Sequence, residues 1–366
     1  MLTDIATPAF LVDRPAVLRN CAKMRDKART SGVGFRPHVK THKCVEAGRM
    51  QHGGTFGPIT VSTLAEAEVF ADAGFRDITY AVPIAPSREK LARAADIAHR
   101  VERLSVLIDS DAALRALEEF DFTFDVSLKV DCGYHRAGVD PASPDSVRLA
   151  VALVRSERVR FQGLLTHAGH SYNARDAEEV RRIAGEESGV LTRFRALLAS
   201  EGLGEARRSI GSTPTASVVD RFSECDEVRP GNYVFYDAFQ ATIGSCAIED
   251  VAVSVLTTVV GSYPERGSLI VDAGALALSK DAGPDHIDPR FGYGLVCDAD
   301  LRPLSSMRIV ALSQEHGKIV TSAHVPVGTR LRIIPNHSCL TAAMFDRYHV
   351  VERGKVVDTW RPVRGW

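Results

Sequence analysis

The feature that most constrains the fold is a regular alternation, between residue 13 and about residue 235, of short apolar runs with segments of helical spacing. This alternation is typical of β/α units around a parallel sheet. We interpret eight runs as strands: Gly34 to Val39, Phe56 to Val61, Asp77 to Ala81, Leu104 to Ile108, Phe124 to Val130, Arg160 to Thr166, Arg208 to Ile210 and Cys225 to Val228. Eight such units predict a (β/α)8 barrel, whose typical size is about 250 residues. A doubly wound open sheet is the alternative, but no glycine-rich dinucleotide fingerprint follows the first strand.

The pattern changes after Asp237 to runs in which apolar and polar residues alternate, separated by turn signals. Examples are VAVSVLTTVV, SLIVDAG and TRLRIIPNHSC, and this period of two predicts strands. We therefore predict an α/β chain with a (β/α)8 TIM-type barrel over residues 13–238 and a mainly-β C-terminal domain over residues 239–366. Residues 1–12 could join the second domain. The length of 366 residues fits two domains.

Composition argues against several classes of function. The net charge is −1 and no long basic run occurs, so we expect no nucleic-acid partner. No uncharged apolar run reaches the length that spans a membrane, and the N-terminus lacks the pattern of a signal peptide, so we expect a soluble, cytoplasmic protein without a membrane partner. The seven cysteines are scattered and form no CxxC pair, which argues against a disulfide framework. A small-molecule partner is therefore expected.

Polar side chains follow the predicted strands, and active sites of such barrels lie at the carboxyl ends of the strands. The first strand ends in His38, Lys40 and His42, and the sixth ends in His167, His170 and Tyr172. Most lysines are solvated surface charges, but Lys40 at a strand end is a candidate Schiff-base nucleophile. Burial, and the two flanking histidines where they are cationic, would lower the pKa of Lys40 and favour its free amine.

The loop after the seventh strand, GSTPT at residues 211–215, combines hydroxyls and backbone N–H groups ahead of a helical segment, and Gly231 and Asn232 follow the eighth strand. Phosphate sites in these barrels are frequently built from the loops after strands seven and eight. Taken alone, the loop is more often an ordinary helix cap. Together with Lys40 it favours pyridoxal phosphate, which would be held through both its aldehyde and its phosphate. Arg136 is a candidate partner for the phenolic oxygen, although a rim salt bridge explains its position equally well.

A second cluster, PNHSC at residues 335–339, falls in the predicted β domain. On an extended strand, His337 and Cys339 would project from the same face, as two ligands of one metal should. Imidazole and thiolate suit zinc. A lone His-x-Cys pair is more often a buried histidine beside a buried cysteine. If the pair does bind a metal, two protein ligands leave coordination positions open, which indicates a catalytic metal.

Six motifs, taken in order, resemble the D-serine dehydratase and D-threonine aldolase family: RPHVKTHK (36–43), VDCGYHRAG (130–138), THAGHSY (166–172), GSTPT (211–215), RPGNY (229–233) and PNHSC (335–339). These are fold-type III pyridoxal-phosphate enzymes related in architecture to alanine racemase, and the resemblance covers nearly the whole chain. It implies that Lys40 is the Schiff-base lysine, that Arg136 faces the phenolic oxygen, and that His337 and Cys339 hold zinc or another divalent metal such as Mn2+. The remaining candidate cofactor contacts are His38, His167, Tyr172, Ser212, Thr213, Gly231 and Asn232.

The resemblance implies a lyase that acts on a D-amino acid with a β-hydroxyl, in a head-to-tail homodimer. Cys339 favours a zinc-dependent D-serine dehydratase, which forms pyruvate and ammonia, because typical D-threonine aldolases carry aspartate at that position. D-threonine aldolase and D-threo-3-hydroxyaspartate dehydratase are the alternatives. Arg229 matches an arginine that alanine racemases direct at the pyridine nitrogen, but dehydratases do not reliably have it, so its role is open.

Two alternatives belong to other classes of protein. A non-catalytic pyridoxal-phosphate carrier would need neither the β domain nor the pair His337 and Cys339. A metal-dependent barrel hydrolase would use four histidines of the predicted barrel, namely His38, His42, His167 and His170. It predicts a colourless protein whose activity depends on metal alone.

Overall fold

A computed structural model describes residues 2–366 of the chain, which divides into two compact units. The barrel unit contains residues 22–231 and 363–366, and the β unit contains residues 232–362 together with the segment up to Cys21. Among the described residues, no helix is both long enough and apolar enough to cross a bilayer.

Strands are numbered along the chain, and the first, β1 (Ala9–Asp13), belongs to the β unit. Within residues 22–231, all of which are described, eight strands form one parallel sheet: β2 (Gly34–Phe35), β3 (Ile59–Val61), β4 (Asp77–Pro83), β5 (Arg103–Ile108), β6 (Phe124–Lys129), β7 (Val159–Leu165), β8 (Arg208–Ile210) and β9 (Glu227–Val228). Their order is β2, β9, β8, β7, β6, β5, β4, β3. A parallel bridge between His38 and Thr60 joins the two end strands, and the Val39 N–H donates to the Thr60 carbonyl at 2.9 Å. The sheet closes, and the predicted (β/α)8 barrel is confirmed.

Helices alternate with these strands: α1 (Arg14–Ser31), α2 (Val45–Gln51), α3 (Leu64–Ala73), α4 (Arg88–Ala98), α5 (Asp111–Glu119), α6 (Pro144–Arg155), α7 (Ala177–Ala199) and α8 (Thr213–Val218). Several begin after a residue whose side-chain oxygen accepts a backbone N–H of the first turn. Ser110, for example, accepts the N–H of Ala113 at the start of α5. Such caps satisfy donors that the helix itself leaves unpaired.

Four barrel strands, β2, β3, β6 and β9, are shorter than the sequence predicts, and proline explains the differences in β2 and β3. The predicted first strand extends to Val39, whereas β2 ends at Phe35. Pro37 lacks the N–H that a ladder requires, so the chain beyond it makes only the bridge at His38. The predicted run from residue 56 likewise becomes a strand only after Pro58. As a result, Lys40 lies in a turn at the carboxyl end of β2.

The β unit contains a mainly antiparallel sheet, as the alternating pattern predicts. Its further strands are β10 (Val253–Tyr263), β11 (Ser268–Val271), β12 (Leu295–Cys297), β13 (Arg308–Leu312), β14 (Gly317–Val320), β15 (Arg330–Ile334), β16 (Tyr348–Glu352) and β17 (Lys355–Trp360), and its helices are α9 (Ala238–Thr242), α10 (Ala275–Leu278) and α11 (Ser338–Ala343). The main path runs β13, β14, β11, β10, β1, β16, β17, and β15 pairs with β10 and β12. The ring of Phe10 on β1 packs against that of Tyr348 at 4.8 Å, so the start of the chain is part of this core.

Candidate functional site

Lys40 lies in the turn after β2 between two histidines that are both neutral at neutral pH. The Lys40 backbone N–H donates to His38 Nδ1 at 3.3 Å. Burial, together with the charges of Lys40 and Arg229, holds the pKa of His38 well below its usual value. Burial also lowers the pKa of His42 to about 4, and its Nδ1 accepts the Cys44 N–H at 3.1 Å. The condition under which these histidines would lower the pKa of Lys40, namely that they are cationic, is therefore not met.

The barrel nevertheless carries a surplus of positive charge near Lys40. Lys129 is buried at the end of β6, and burial together with the charge of Arg229 lowers its pKa to about 7. Burial lowers the pKa of Arg229 to about 10. Burial and the charges of Lys40 and Lys129 hold the pKa of His167 well below its usual value. Each of these shifts disfavours a cationic form, so a bound anion would relieve the mutual repulsion.

The two arginines of the predicted site are held in different ways. The Arg229 guanidinium is buried and donates to Ser209 Oγ and to the Thr166 carbonyl, so it is fixed inside the barrel. Arg136 is exposed, and its guanidinium lies over the ring of Tyr134 at 5.0 Å from the ring centroid. The contact of Arg136 with a phenolic oxygen stays a prediction.

Hydrogen bonds within the barrel unit fix the loops after β8 and β9. Ser212 Oγ accepts the N–H of Thr215 at 3.3 Å and so caps α8. The Gly231 N–H donates to Thr213 Oγ1 at 3.3 Å. A Cβ on Gly231 would lie 2.8 Å from the Cβ of His38, so the close approach of these two segments requires glycine. The structure therefore brings His38, Thr213 and Gly231 to one end of the barrel.

The segment after β7 adds two histidines and a tyrosine. His167 Nδ1 donates to the Gly211 carbonyl at 2.5 Å, so Nε2 is its unprotonated nitrogen. His170 Nδ1 is buried and has no hydrogen-bond partner among the described residues. Tyr172 lies on the short 3-10 turn Gly169–Asn173. An orphaned buried polar atom on the same segment as His167 fits the binding of a polar ligand such as pyridoxal phosphate.

The predicted metal pair does not lie on an extended strand. Strand β15 ends at Ile334, because Pro335 follows it, and His337 is the N-cap of α11, which contains Cys339. The prediction that both side chains project from one face of a strand is therefore wrong. The start of the helix nevertheless brings the His337 and Cys339 side chains within hydrogen-bonding distance of each other.

Asp281, which sequence analysis did not identify, orients His337. Its Oδ2 lies 3.1 Å from His337 Nδ1, which leaves Nε2 as the ring nitrogen for a metal. Burial lowers the pKa of His337, but hydrogen bonds to Asp281 and Cys339 outweigh burial and raise it well above its usual value. The hydrogen bond to His337 lowers the pKa of Asp281. Positive charge is therefore favoured at this position.

Asn232 is joined to the same segment of the β unit. Its Nδ2 donates to Asp237 Oδ2 at 2.8 Å and to Ser338 Oγ at 2.9 Å, and lies 3.6 Å from Cys339 Sγ. Its Oδ1 is buried without a hydrogen-bond partner among the described residues. The imidazole of His337 and the thiol of Cys339 form a donor pair that fits zinc or another divalent ion. The contact of Asn232 with a cofactor stays a prediction.

The four-histidine hydrolase lacks a metal site. Over residues 2–366, no group of three or more His, Cys, Asp or Glu side chains is placed to hold a metal ion. His42, one of the four, is buried and neutral, with its Nε2 at 3.3 Å from Gln51 Oε1. Both ring nitrogens of His42 are thus engaged by protein groups.

Comparison with known proteins bears on both units. Residues 12–238 match the alanine racemase N-terminal domain, and residues 252–351 match the serine dehydratase domain. D-serine dehydratase from Dictyostelium discoideum is 39% identical over 100% of this chain and 98% of that protein. D-threo-3-hydroxyaspartate dehydratase from Delftia sp. (strain HT23) is 39% identical over 100% of this chain and 99% of that protein. D-threonine aldolase from Arthrobacter sp is 28% identical over 98% of this chain and 92% of that protein.

The solved structures agree with these relationships. The structure of the Delftia dehydratase has a TM-score of 0.93 at 38% identity, and the match covers 100% of this chain and 99% of that one. A mutant of D-threo-3-hydroxyaspartate dehydratase has also been solved in a form described as metal-free, which implies that this relative binds a metal.

Proposed function

Because the chain belongs to the D-serine dehydratase and D-threonine aldolase family of fold-type III enzymes, we propose that it is a lyase that converts D-serine to pyruvate and ammonia. The observation that carries this choice is the full-length identity of 39% to a D-serine dehydratase, against 28% to a D-threonine aldolase. Cys339 supports the same choice, because the aldolases that the chain resembles carry aspartate there.

We propose pyridoxal phosphate as the cofactor and Lys40 as its attachment point. Once bound, pyridoxal phosphate would serve as the sink for the electron pair that remains when Cα loses its proton. Lys40 Nζ takes that proton from the substrate. The positive charges of Arg136 and Arg229 support the binding of the phosphate and of the substrate carboxylate, and Lys129, whose pKa is about 7, adds only part of a charge at neutral pH. His38 and His167, both neutral, do not add to that charge.

We propose zinc as the metal, held by His337 and Cys339. Hydroxide is a poor leaving group, and a zinc ion would act as a Lewis acid on the β-hydroxyl. Asp281 holds the His337 ring in the orientation that presents Nε2. Retro-aldol cleavage would instead require removal of the proton from the β-hydroxyl, so the same pair of ligands also suits an aldolase. The reaction type must therefore be decided by products.

Product analysis tests the proposal directly. The protein, loaded with pyridoxal phosphate and zinc, should form pyruvate from D-serine and little glycine from D-threonine, and a chelator should suppress the pyruvate. Glycine from D-threonine without pyruvate from D-serine would refute the dehydratase. D-serine kept with the protein after chelation, and again after zinc is restored, provides the matched control.

D-threo-3-hydroxyaspartate is the second candidate substrate, because the identity to its dehydratase is also 39%. It differs from D-serine by a second carboxylate, which the surplus of positive charge could accept. A kcat/KM for D-threo-3-hydroxyaspartate at least about tenfold above that for D-serine would reassign the substrate.

We propose further that the protein acts in the cytoplasm as a homodimer on a free D-amino acid, without a nucleic-acid or membrane partner. Gel filtration over a range of concentrations tests the dimer. An elution volume of a monomer of 39.8 kDa at every concentration would contradict it.

A further inference from the structure

Glu187 is a buried carboxylate in a position where the helix pattern calls for an apolar side chain. It lies on α7, and the buried positions of that helix include Val180, Ile183, Leu191 and Phe194. These spacings of three and four residues define one helix face, and Glu187 is on it with 0% of its surface exposed. Charged side chains are rarely buried completely unless they are paired. The cost of burying this carboxylate therefore requires specific partners.

The partners of Glu187 come from two loops at the carboxyl ends of neighbouring strands. Its Oε1 accepts the Ala168 N–H, after β7, and the Gly211 N–H, after β8, both at 3.0 Å. Its Oε2 accepts the hydroxyl of Thr215 at 3.0 Å. One carboxylate on an outer helix thus joins the segments THAGHSY and GSTPT. An apolar residue in its place would leave two buried N–H groups unpaired.

Glu187 also fixes the direction of the Thr215 hydroxyl, which belongs to a chain of three hydroxyl groups. A carboxylate only accepts hydrogen bonds, so the Thr215 hydroxyl must donate to it. The Ser171 hydroxyl donates to the Ala168 carbonyl at 2.6 Å. Ser212 Oγ lies 2.8 Å from Thr215 Oγ1 and 3.0 Å from Ser171 Oγ. Since the hydrogens of Thr215 and Ser171 are already used, Ser212 donates its own hydrogen to one of them.

The hydrogens of these three hydroxyls are used within the loops, so an anion there would be bound by other donors, such as backbone N–H groups. That mode of binding depends on the backbone conformation, and Glu187 holds the backbone through Ala168 and Gly211. Glu187 is also close enough to affect the cations of the site. Burial lowers the pKa of Lys129 and of Arg229, and the charge of Glu187 is among those that oppose the shift.

We propose that Glu187 is a positioning residue that holds the loops after β7 and β8 in the conformation that binds the phosphate of the cofactor. This proposal rests on the proposed function, since it requires pyridoxal phosphate in the barrel. It predicts that Glu187 affects recognition of the phosphate group and leaves recognition of the pyridine ring and aldehyde unchanged. A merely structural glutamate would affect both equally.

The test compares two ligands that differ only in the phosphate. Apoprotein is titrated with pyridoxal phosphate and with pyridoxal, and binding is followed by visible absorbance. In Glu187→Gln, the ratio of the two affinities should fall by about tenfold or more, because the bonds to a charged oxygen become bonds to a neutral amide oxygen and the amide nitrogen cannot accept the Thr215 hydroxyl. Affinity for pyridoxal should stay within about twofold of wild type, as expected for an effect confined to the phosphate.

Glu66→Gln is the matched control. Glu66 is also a buried glutamate of the barrel unit, and it accepts the N–H and the hydroxyl of Ser62 at 2.7 and 2.8 Å. It lies on α3, away from the loops after β7 and β8, so Glu66→Gln should leave the affinity ratio unchanged. An equal fall in both variants, or an equal loss of both ligands in Glu187→Gln, would overturn the proposal.

Three further outcomes can be told apart. If Glu187→Gln does not fold, Thr215→Val removes one donor while keeping the carboxylate, and an unchanged ratio in that variant would overturn the proposal. If wild-type protein binds pyridoxal phosphate but the ratio does not respond to Glu187, only the role of Glu187 fails. If wild-type protein forms no imine band with pyridoxal phosphate, the proposed function fails and the role of Glu187 fails with it.

Discussion

The candidate sites of the barrel unit and the β unit have electrostatic surroundings of opposite sign, and their histidines show the contrast. In the barrel unit, burial and cationic neighbours hold the pKa values of His38 and His167 well below normal. In the β unit, burial acts in the same direction on His337, but Asp281 and Cys339 raise its pKa well above normal. Burial alone therefore does not determine the charge of a histidine; its neighbours do. The barrel cluster suits an anion and the β cluster suits a cation.

The largest expected effects come from replacing Lys40 in the barrel unit and His337 in the β unit. Lys40→Ala should lower kcat/KM by on the order of 10²–10⁴-fold or more, because the amine that takes the proton is lost. It should also abolish the visible imine band while zinc content, measured by atomic absorption, is retained. His337→Ala should lose zinc and activity but keep the imine band. A variant that loses both band and zinc would show that the two sites are not independent.

A smaller effect is expected for Asp281→Asn. The asparagine keeps the shape of the side chain but removes the charge that favours a cation, so zinc affinity should fall by about 10–100-fold, as measured by competition with a chelator. Asp288→Asn is the control, because Asp288 is half-exposed and pairs with Arg290 in its own loop. Equal losses in the two variants would exclude a specific role for Asp281.

The pH dependence of stability tests the barrel half of the comparison. Burial lowers the pKa of Lys129 from 10.5 to about 7, so between these pH values the unfolded chain binds a proton that the folded chain does not. The free energy of unfolding should therefore rise with pH across this window. In Lys129→Met this rise should be smaller, as measured by urea denaturation of apoprotein at several pH values. Lys318→Met, at an exposed position, should keep the wild-type slope.

The smallest effect is expected for Ser212→Ala. Loss of the cap should cost about 1 kcal/mol of stability, but affinity for pyridoxal phosphate should change by less than about threefold, because the Ser212 hydroxyl hydrogen is used within the loop. Ser110→Ala removes a cap at α5 and should cost a similar amount of stability. A loss of tenfold or more in cofactor affinity for Ser212→Ala alone would show that the hydroxyl donates to the phosphate.

The barrel could be predicted because the same sequence pattern, an apolar run followed by a helical segment, occurs eight times. Eight apolar runs with helical spacing between them determine a closed parallel sheet, and topology then places every segment that follows a strand at the same end. That is why Lys40, His167 and Gly231, which are far apart in sequence, could be assigned to one site. The lengths of the strands near Pro37 and Pro58 were less predictable. An apolar run does not by itself show where a proline, which has no backbone N–H, interrupts the hydrogen bonding between strands.

The residues that sequence analysis missed act over long separations and carry no local motif. Asp281 meets His337 across 56 positions, and Glu187 meets Gly211 across 24. A signal did exist for Glu187, since a glutamate on the apolar face of a long helix departs from the pattern. Sequence analysis identified the pair His337 and Cys339 but predicted the wrong backbone conformation for it, because Pro335 ends the strand before His337.

The barrel closes beside Lys40 through a single bridge, so the strand pairing there has the shortest hydrogen-bonded ladder in the sheet. Strands β5 and β6 are joined by a ladder of four residue pairs, whereas β3 is linked to the segment that follows β2 through the His38–Thr60 bridge. Backbone amides at Val39 and Thr60 should therefore exchange with deuterium faster than those of β5 and β6. Local opening of the barrel sheet would begin between these two strands. A ligand attached at Lys40 would therefore slow amide hydrogen exchange there more than anywhere else in the sheet.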